Sequence, residues 1–222
     1  MINRAADSDK IVKNIFWFLI SFTIFLLLAH FTLRLYAHFN PLDYPITLFR
    51  RFNLDAEGNI PTWFSTIQLF SISALTFFIY NALQKKKITG FELNFWLIFS
   101  FFYLFLSADE AGQIHEIIDQ QIGIKWVYFY APLAALFFGM VFFHFLGEKK
   151  FHRKDKNLMI AGLIIFATGS LAIEFADYYF DPGRFIEQIE ILFEEGMEMF
   201  GSSLIIIGTL KIAAANCKLE EE

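Results

Sequence analysis

Long apolar runs separated by short polar segments dominate this sequence. A helix needs about 20 apolar residues to cross a bilayer. Six stretches meet that requirement, the third, fifth and sixth only if acidic residues are accepted within a span: residues 14–38, 63–83, 91–118, 126–146, 158–179 and 184–211. The pattern predicts an all-α fold, a polytopic membrane bundle of six transmembrane helices that forms a single domain over residues 1–222.

The basic residues predict how this bundle is oriented. The connectors at 84–90 and 147–157, together with the two termini, hold 13 of the 18 Lys and Arg residues, and the other side of the bundle holds 5. Cytoplasmic loops carry an excess of Lys and Arg in membrane proteins. We therefore expect both termini in the cytoplasm and the loops at 39–62, 119–125 and 180–184 outside.

Composition supports a membrane protein and excludes several other classes. Hydrophobic residues make up 56% of the chain, 31 residues are Phe, and the mean hydropathy is +0.48, which is too apolar for a soluble domain. The single cysteine, Cys217, excludes a disulfide framework or a multi-thiolate metal centre within this chain. The sequence has no phosphate-binding loop, serine-hydrolase elbow or basic patch on a soluble domain, so we expect no nucleic-acid partner.

Ionisable residues interrupt three of the predicted spans near their outer ends. If residues 91–118 form one continuous helix, Asp109, Glu116 and Asp119 share a face. With a rise of 1.5 Å per residue, the acids of the third, fifth and sixth spans lie at similar depth. The sequence thus predicts one shared cluster, with these members: Asp109, Glu110, His115, Glu116, Glu174, Asp177, Glu194, Glu195 and Glu198.

Such acids are costly in a membrane unless something compensates their charge. An acid at the centre of a transmembrane helix costs roughly 2.5–3.5 kcal/mol, and less near the edge. A cationic partner, a proton or a metal ion must offset that cost. His30, Arg34 and His38 recur on one face of the first span, where Arg34 is expected to pair with a carboxylate. The outer loop also carries LDAEGNIPTW, which resembles half of a calcium loop but lacks the downstream bidentate acid.

Three motifs together carry a family resemblance. They are DAEGNIPTWFS, LSADEAGQIHE and EEGMEMFG, and they extend from about residue 54 to residue 201. The combination resembles an uncharacterised family of small bacterial multi-pass membrane proteins. That resemblance implies a location in the bacterial inner membrane and a joint role for the acids of the motifs, but it implies no activity.

Two functions and one structural role are consistent with these residues. The first is a site for a divalent metal, Fe, Mn, Zn or Ca, near the outer, periplasmic face. Its ligands would come from one set of residues: Asp109, Glu110, His115, Glu116, Glu174, Glu194 and Glu198. Such a site could serve an enzyme that acts on a membrane lipid or other apolar substrate, with Glu116 and Glu195 as catalytic carboxylates.

The second function is transport of protons or divalent cations, because acids that face a cavity are how such pathways are built. The structural role is that of a non-catalytic membrane subunit whose acids form a docking surface. In that case the expected partner is a second copy of the chain or another membrane subunit.

Overall fold

The computed structural model describes residues 2–123, 125–147, 153–173 and 184–218, with some side chains at the ends of these ranges left out. These ranges contain helices and no strand. The elements in chain order are α1 (Ile2–Phe39), α2 (Ile46–Phe52), α3 (Ile60–Lys85), α4 (Phe91–Gly112), α5 (Ile114–Ile122), α6 (Val127–Gly147), α7 (Arg153–Ala167), a π-helical segment (Thr168–Ile173) and α8 (Arg184–Lys218).

Five of these helices are long and apolar enough to cross a membrane, and they identify the chain as a helical membrane protein. The segments are Asp9–Phe39, Ile60–Lys85, Phe91–Gly112, Val127–Phe145 and Gln188–Ala215. The predicted fifth span at 158–179 corresponds to α7 and the π-helical segment, and its last residues lie outside the described ranges. The all-helical fold is confirmed, and within the described residues five of the six predicted spans contain a helix that is long and apolar enough to cross a membrane.

The prediction of one helix over residues 91–118 is wrong. Helix α4 ends at Gly112, and Gln113 adopts a left-handed conformation with φ 55° before α5 begins. The carboxylate of Asp109 accepts the backbone N–H of His115 at 2.9 Å, so an acid of α4 satisfies an N-terminal donor of α5. The break redirects α5, and Glu116 no longer shares a face with Asp109.

The outer loop at 39–62 also contains structure that the apolar pattern does not reveal. Helix α2 is only seven residues long and has no buried residue. The loop after it is held by Asn59, which caps α3: its side-chain oxygen accepts the backbone N–H of Thr62 at 3.2 Å. Pro61 follows in the first turn of α3, where its missing N–H costs nothing.

Helix α8 runs through the centre of the bundle and packs against α1, α3 and α7. Its contact with α7 depends on glycine. A Cβ atom on Gly201 would lie 2.7 Å from the carbonyl oxygen of Gly162 and 2.6 Å from the backbone nitrogen of Phe166. Small residues permit such backbone contact between membrane helices. This close approach fixes α8 beside α7.

A polar contact ties α8 to α3. The side-chain amide of Gln68 donates to the carbonyl of Met199 at 3.1 Å and to the hydroxyl of Ser203 at 2.9 Å, and all three residues are buried. Water is absent between membrane helices, so polar side chains there satisfy their hydrogen-bonding groups across the helix interface. The contact lies one turn from the acids of α8, so it also fixes their position.

Candidate functional site

Seven ionisable side chains line one cavity of about 180 Å³, which we call the acid cavity. They come from the loop before α3, from α4, α5 and α8: Glu57, Asp109, Glu110, His115, Glu194, Glu195 and Glu198. Apolar side chains of α4, α6 and α7 form much of the remaining wall, among them Phe102, Leu106, Leu133, Phe138 and Phe166. The cavity is therefore acidic on one side and apolar on the other.

His115 is the cation at the centre of the ionisable side. Its Nε2 lies 3.0 Å from Oε1 of Glu57, and its Nδ1 lies 3.1 Å from Oδ2 of Asp109. Burial by itself lowers the pKa of His115, but the hydrogen bonds to Asp109 and Glu57 outweigh it and raise the pKa to about 10. With the pKa raised in this way, the ring is an imidazolium at neutral pH and donates from both nitrogens to Glu57 and Asp109.

Asp109 accepts three hydrogen bonds, which hold it in place. Besides the ring and the backbone N–H of His115, it accepts the phenolic O–H of Tyr130 at 2.9 Å. Its residue exposure is only 7%. Asp109 therefore joins α4, α5 and α6 at this end of the bundle, which we call the acid end.

The loop that carries Glu57 is fixed by helix α1. The backbone N–H of Leu54 donates to Nδ1 of His30 at 2.9 Å, and the guanidinium of Arg34 donates to Asn53 and forms an ion pair with Asp55 at 3.2 Å. His30 and Arg34 thus act on the loop and not directly on the cavity. The expected pairing of Arg34 with a carboxylate is confirmed, whereas His38 is exposed at the end of α1.

Three glutamates of the cavity lack comparable partners among the residues that the structure describes. The carboxyl groups of Glu110, Glu195 and Glu198 form no hydrogen bond or ion pair with any residue that the structure describes. Their strongest electrostatic neighbours are other acids of the cavity. If all are ionised, six carboxylates face one imidazolium. In that state the cavity would carry a large negative charge that its one imidazolium does not balance.

Close packing against Gly169 positions Glu194 and Glu198. A Cβ atom on Gly169, in the π-helical segment, would lie 2.8 Å from the carbonyl oxygen of Glu194 and 3.2 Å from Cγ of Glu198. Any larger residue at Gly169 would displace this part of α8. Within the described ranges, no group of three or more His, Cys, Asp or Glu side chains is already arranged at metal-ligand spacing.

The structure places most, but not all, of the predicted site residues at this cavity. It brings together Asp109, Glu110, His115, Glu194, Glu195 and Glu198. Glu116 is exposed on α5 and does not line the cavity, because the helix break at Gln113 turns it away. Glu174 and Asp177 lie outside the described residues.

Sequence reasoning missed three residues of the cavity. Glu57 was considered only as part of a calcium-type loop, and its ion pair with His115 crosses from that loop to α5. Tyr130 and Trp126 belong to an apolar span in which aromatic residues are frequent, so nothing marked them as special. A useful signal for Tyr130 would have been its phenolic hydroxyl within a span, since a buried hydroxyl needs a partner.

Comparison with known proteins gives a family but no activity. No curated protein and no solved structure matches the chain. A family model described as a domain of unknown function, DUF8692, matches residues 19–212 and so covers every described helix of the acid cavity. The chain therefore belongs to the DUF8692 family of domains of unknown function.

Proposed function

We propose that this protein binds a divalent cation in the acid cavity and that the loaded cavity is a reaction site for a lipid or another apolar substrate. Glu110, Glu194 and Glu198 are the proposed ligands, and Glu195 is the proposed general base. Asp109 and Glu57 hold His115 and do not bind the cation themselves.

The observation that carries this proposal is the concentration of six carboxyl groups in one cavity with apolar walls. Six carboxylates and one imidazolium line a space bounded by apolar side chains, where charge is costly. A divalent cation would offset this cost and would also hold the carboxylates together. The side chains of Glu110 and Glu198 form no hydrogen bond with the described residues, so their oxygens are available to a cation.

The donor set supports a hard cation. Both nitrogens of His115 already donate to carboxylates, which leaves oxygen ligands alone. All-oxygen sites suit Ca²⁺ and Mn²⁺ better than Zn²⁺, which prefers nitrogen and sulfur. Of the four metals considered from the sequence, we therefore favour Ca and Mn over Fe and Zn.

An apolar groove supports a lipid-like substrate. It has a volume of about 590 Å³ and lies between α6 on one side and α7 with the π-helical segment on the other. Phe138 and Leu171 line both this groove and the acid cavity. A hydrocarbon chain in the groove would thus reach the carboxylates with its polar end. A cation bound there would supply Lewis acidity, and Glu195 would accept the proton of an attacking water.

Metal content tests the proposal directly. We expect the purified, detergent-solubilised protein to retain one divalent cation per chain, Ca or Mn, by elemental analysis. Glu198→Gln should lose most of it. Glu116→Gln is the matched control, because it removes the same charge from an exposed residue of α5 outside the cavity. Equal metal content in the two variants, or no retained metal in the wild type, would contradict the proposal.

Transport of protons or cations is the second candidate function, and the acids also support it. A pathway to the other end of the bundle would have to pass side chains that are entirely buried, among them Trp96, Phe99 and Tyr103. This packed layer favours a site that is open to one end only. Uptake of Mn²⁺ or Ca²⁺ into vesicles that contain the protein, abolished by Glu198→Gln, would instead favour transport.

The proposed orientation follows from the basic residues. We propose six spans in a bacterial inner membrane, with both termini and the connectors at 84–90 and 147–157 in the cytoplasm and the acid end facing outward. In a Cys217→Ser background, an impermeant thiol reagent should label Asp55→Cys in intact cells and should not label Lys154→Cys. If the reagent labelled Lys154→Cys and not Asp55→Cys, the protein would have the opposite orientation in the membrane.

A further inference from the structure

Two exposed arginines are adjacent on α2 at the acid end. Of the Lys and Arg side chains described there, Arg34 and Lys125 form ion pairs with acids. Arg50 and Arg51, adjacent on α2, are exposed and form no ion pair with any described residue. They therefore form a local positive patch at the end of the bundle where acids otherwise prevail.

Both arginines line a groove on the outside of the bundle. The groove has a volume of about 720 Å³ and is separate from the apolar groove beside α6. Helix α2 forms one side, and the loop before α3 with the first turns of α3 forms the other. The lining combines guanidinium, hydroxyl and amide groups with apolar surface: Ile46, Thr47, Arg50, Arg51, Gly58, Asn59, Ile60, Thr62, Trp63, Thr66 and Ala111.

The groove lies where a spanning helix begins, at the level expected for lipid headgroups. Trp63, in the first turn of α3, is 67% exposed. Tryptophan at a membrane–water interface places its apolar ring toward lipid and its N–H toward water. Helix α2 buries none of its residues and exposes Ile46 and Leu48 beside its arginines. Helix α2 thus exposes apolar and basic side chains next to each other, as segments at a membrane interface often do.

We infer that this groove binds the headgroup phosphate of an anionic phospholipid. Guanidinium groups recognise phosphate oxygens through paired, charge-assisted hydrogen bonds. The hydroxyl of Thr47 adds a neutral donor, and the apolar wall at Ile46 and Trp63 accommodates the start of the acyl chains.

The groove shares one wall with the acid cavity. Thr62 lines both, and its backbone N–H and hydroxyl are held by Asn59 at the start of α3. A lipid bound in the groove would therefore contact the loop that carries Glu57. The inference rests on Arg50 and Arg51 and does not depend on a cation in the cavity.

Native mass spectrometry of the full chain in detergent, titrated with phosphatidylglycerol or with phosphatidylcholine of the same acyl chains, tests the inference. We expect the wild type to prefer phosphatidylglycerol and the double variant Arg50→Gln/Arg51→Gln to lose roughly tenfold in that preference. The control Lys85→Gln/Lys87→Gln removes two charges at the other end of α3 and should leave the preference unchanged. The variant Arg50→Lys/Arg51→Lys keeps both positive charges and should retain part of the preference for phosphatidylglycerol.

Two results would overturn the inference. One is a double variant, Arg50→Gln/Arg51→Gln, that melts like the wild type and keeps the full preference for phosphatidylglycerol. The other is displacement of bound phosphatidylglycerol by inorganic phosphate, which would show a site for the free anion and not for a lipid. We expect inorganic phosphate to leave the lipid bound, because the acyl chains contribute to its affinity.

Discussion

The ion pairs of His115 predict a pH dependence of stability that a single substitution should remove. Folding raises the pKa of His115 from 6.5 to about 10, because Asp109 and Glu57 bind the protonated ring. The stabilisation is therefore complete below the unfolded value of 6.5 and is lost as pH rises through the folded value of about 10. His115→Gln should destabilise the protein most at low pH in this window and least at high pH.

The size of the effect follows from the shift. One pKa unit corresponds to about 1.4 kcal/mol, so the slope cannot exceed that value per pH unit. The His115 side chain is 22% exposed, and solvent weakens both ion pairs. We expect the difference in unfolding free energy between wild type and His115→Gln to fall by about 2 kcal/mol from about pH 6.5 to about pH 9.

Unfolding by a denaturing detergent, followed by circular dichroism at a series of pH values, measures this difference. His38→Gln is the matched control, because it removes an exposed imidazole from the end of α1. Its stability relative to the wild type should not change across the window. If the difference in unfolding free energy between wild type and His115→Gln stays constant with pH, the ring of His115 is not a protonated group held by both Asp109 and Glu57.

Two further substitutions test the packing around the cavity. Gly201→Ala should lower stability by about 1–3 kcal/mol, because its Cβ would lie only 2.7 Å from the carbonyl oxygen of Gly162. The control Gly139→Ala adds a Cβ that meets no atom within 4 Å, and it should be neutral or stabilising in the same thermal melt. Asn59→Ala should cost about 2 kcal/mol through loss of the α3 cap and of its bonds to the loop carbonyls, while Asn40→Ala at an exposed site should cost little. Equal effects within either pair would contradict the packing described here.

Properties of single helices explain why the sequence predicted the spanning helices and the position of most acids of the cavity. Apolar length identifies α1, α3, α4, α6 and α8, since a helix satisfies its backbone hydrogen bonds within one continuous segment. Helical rise alone places Glu110, Glu194 and Glu198 at similar depth, near the same end of the bundle. Both inferences use only distances along one helix, and such distances do not depend on tertiary structure.

The errors arose where tertiary contacts decide the local structure. The break at Gln113 depends on the carboxylate of Asp109, which reaches over the gap to the backbone of α5. Gly112 is the one local signal, and it is a weak one, because glycine is frequent within membrane helices. The pairing of Glu57 with His115 likewise joins segments that are far apart in the chain. Periodicity cannot predict such contacts.

The central claim, a divalent cation held by the acid cavity, is tested most directly by thermal melts of wild type and Glu198→Gln with and without chelator. If a cation holds ionised carboxylates together, chelator lowers the melting temperature of the wild type, and Glu198→Gln is already destabilised and responds little to chelator. If protons neutralise the acids instead, Gln is a near-isosteric neutral replacement. The account would be contradicted if chelator left the melting temperature of the wild type unchanged and Glu198→Gln melted at the same or a higher temperature than the wild type.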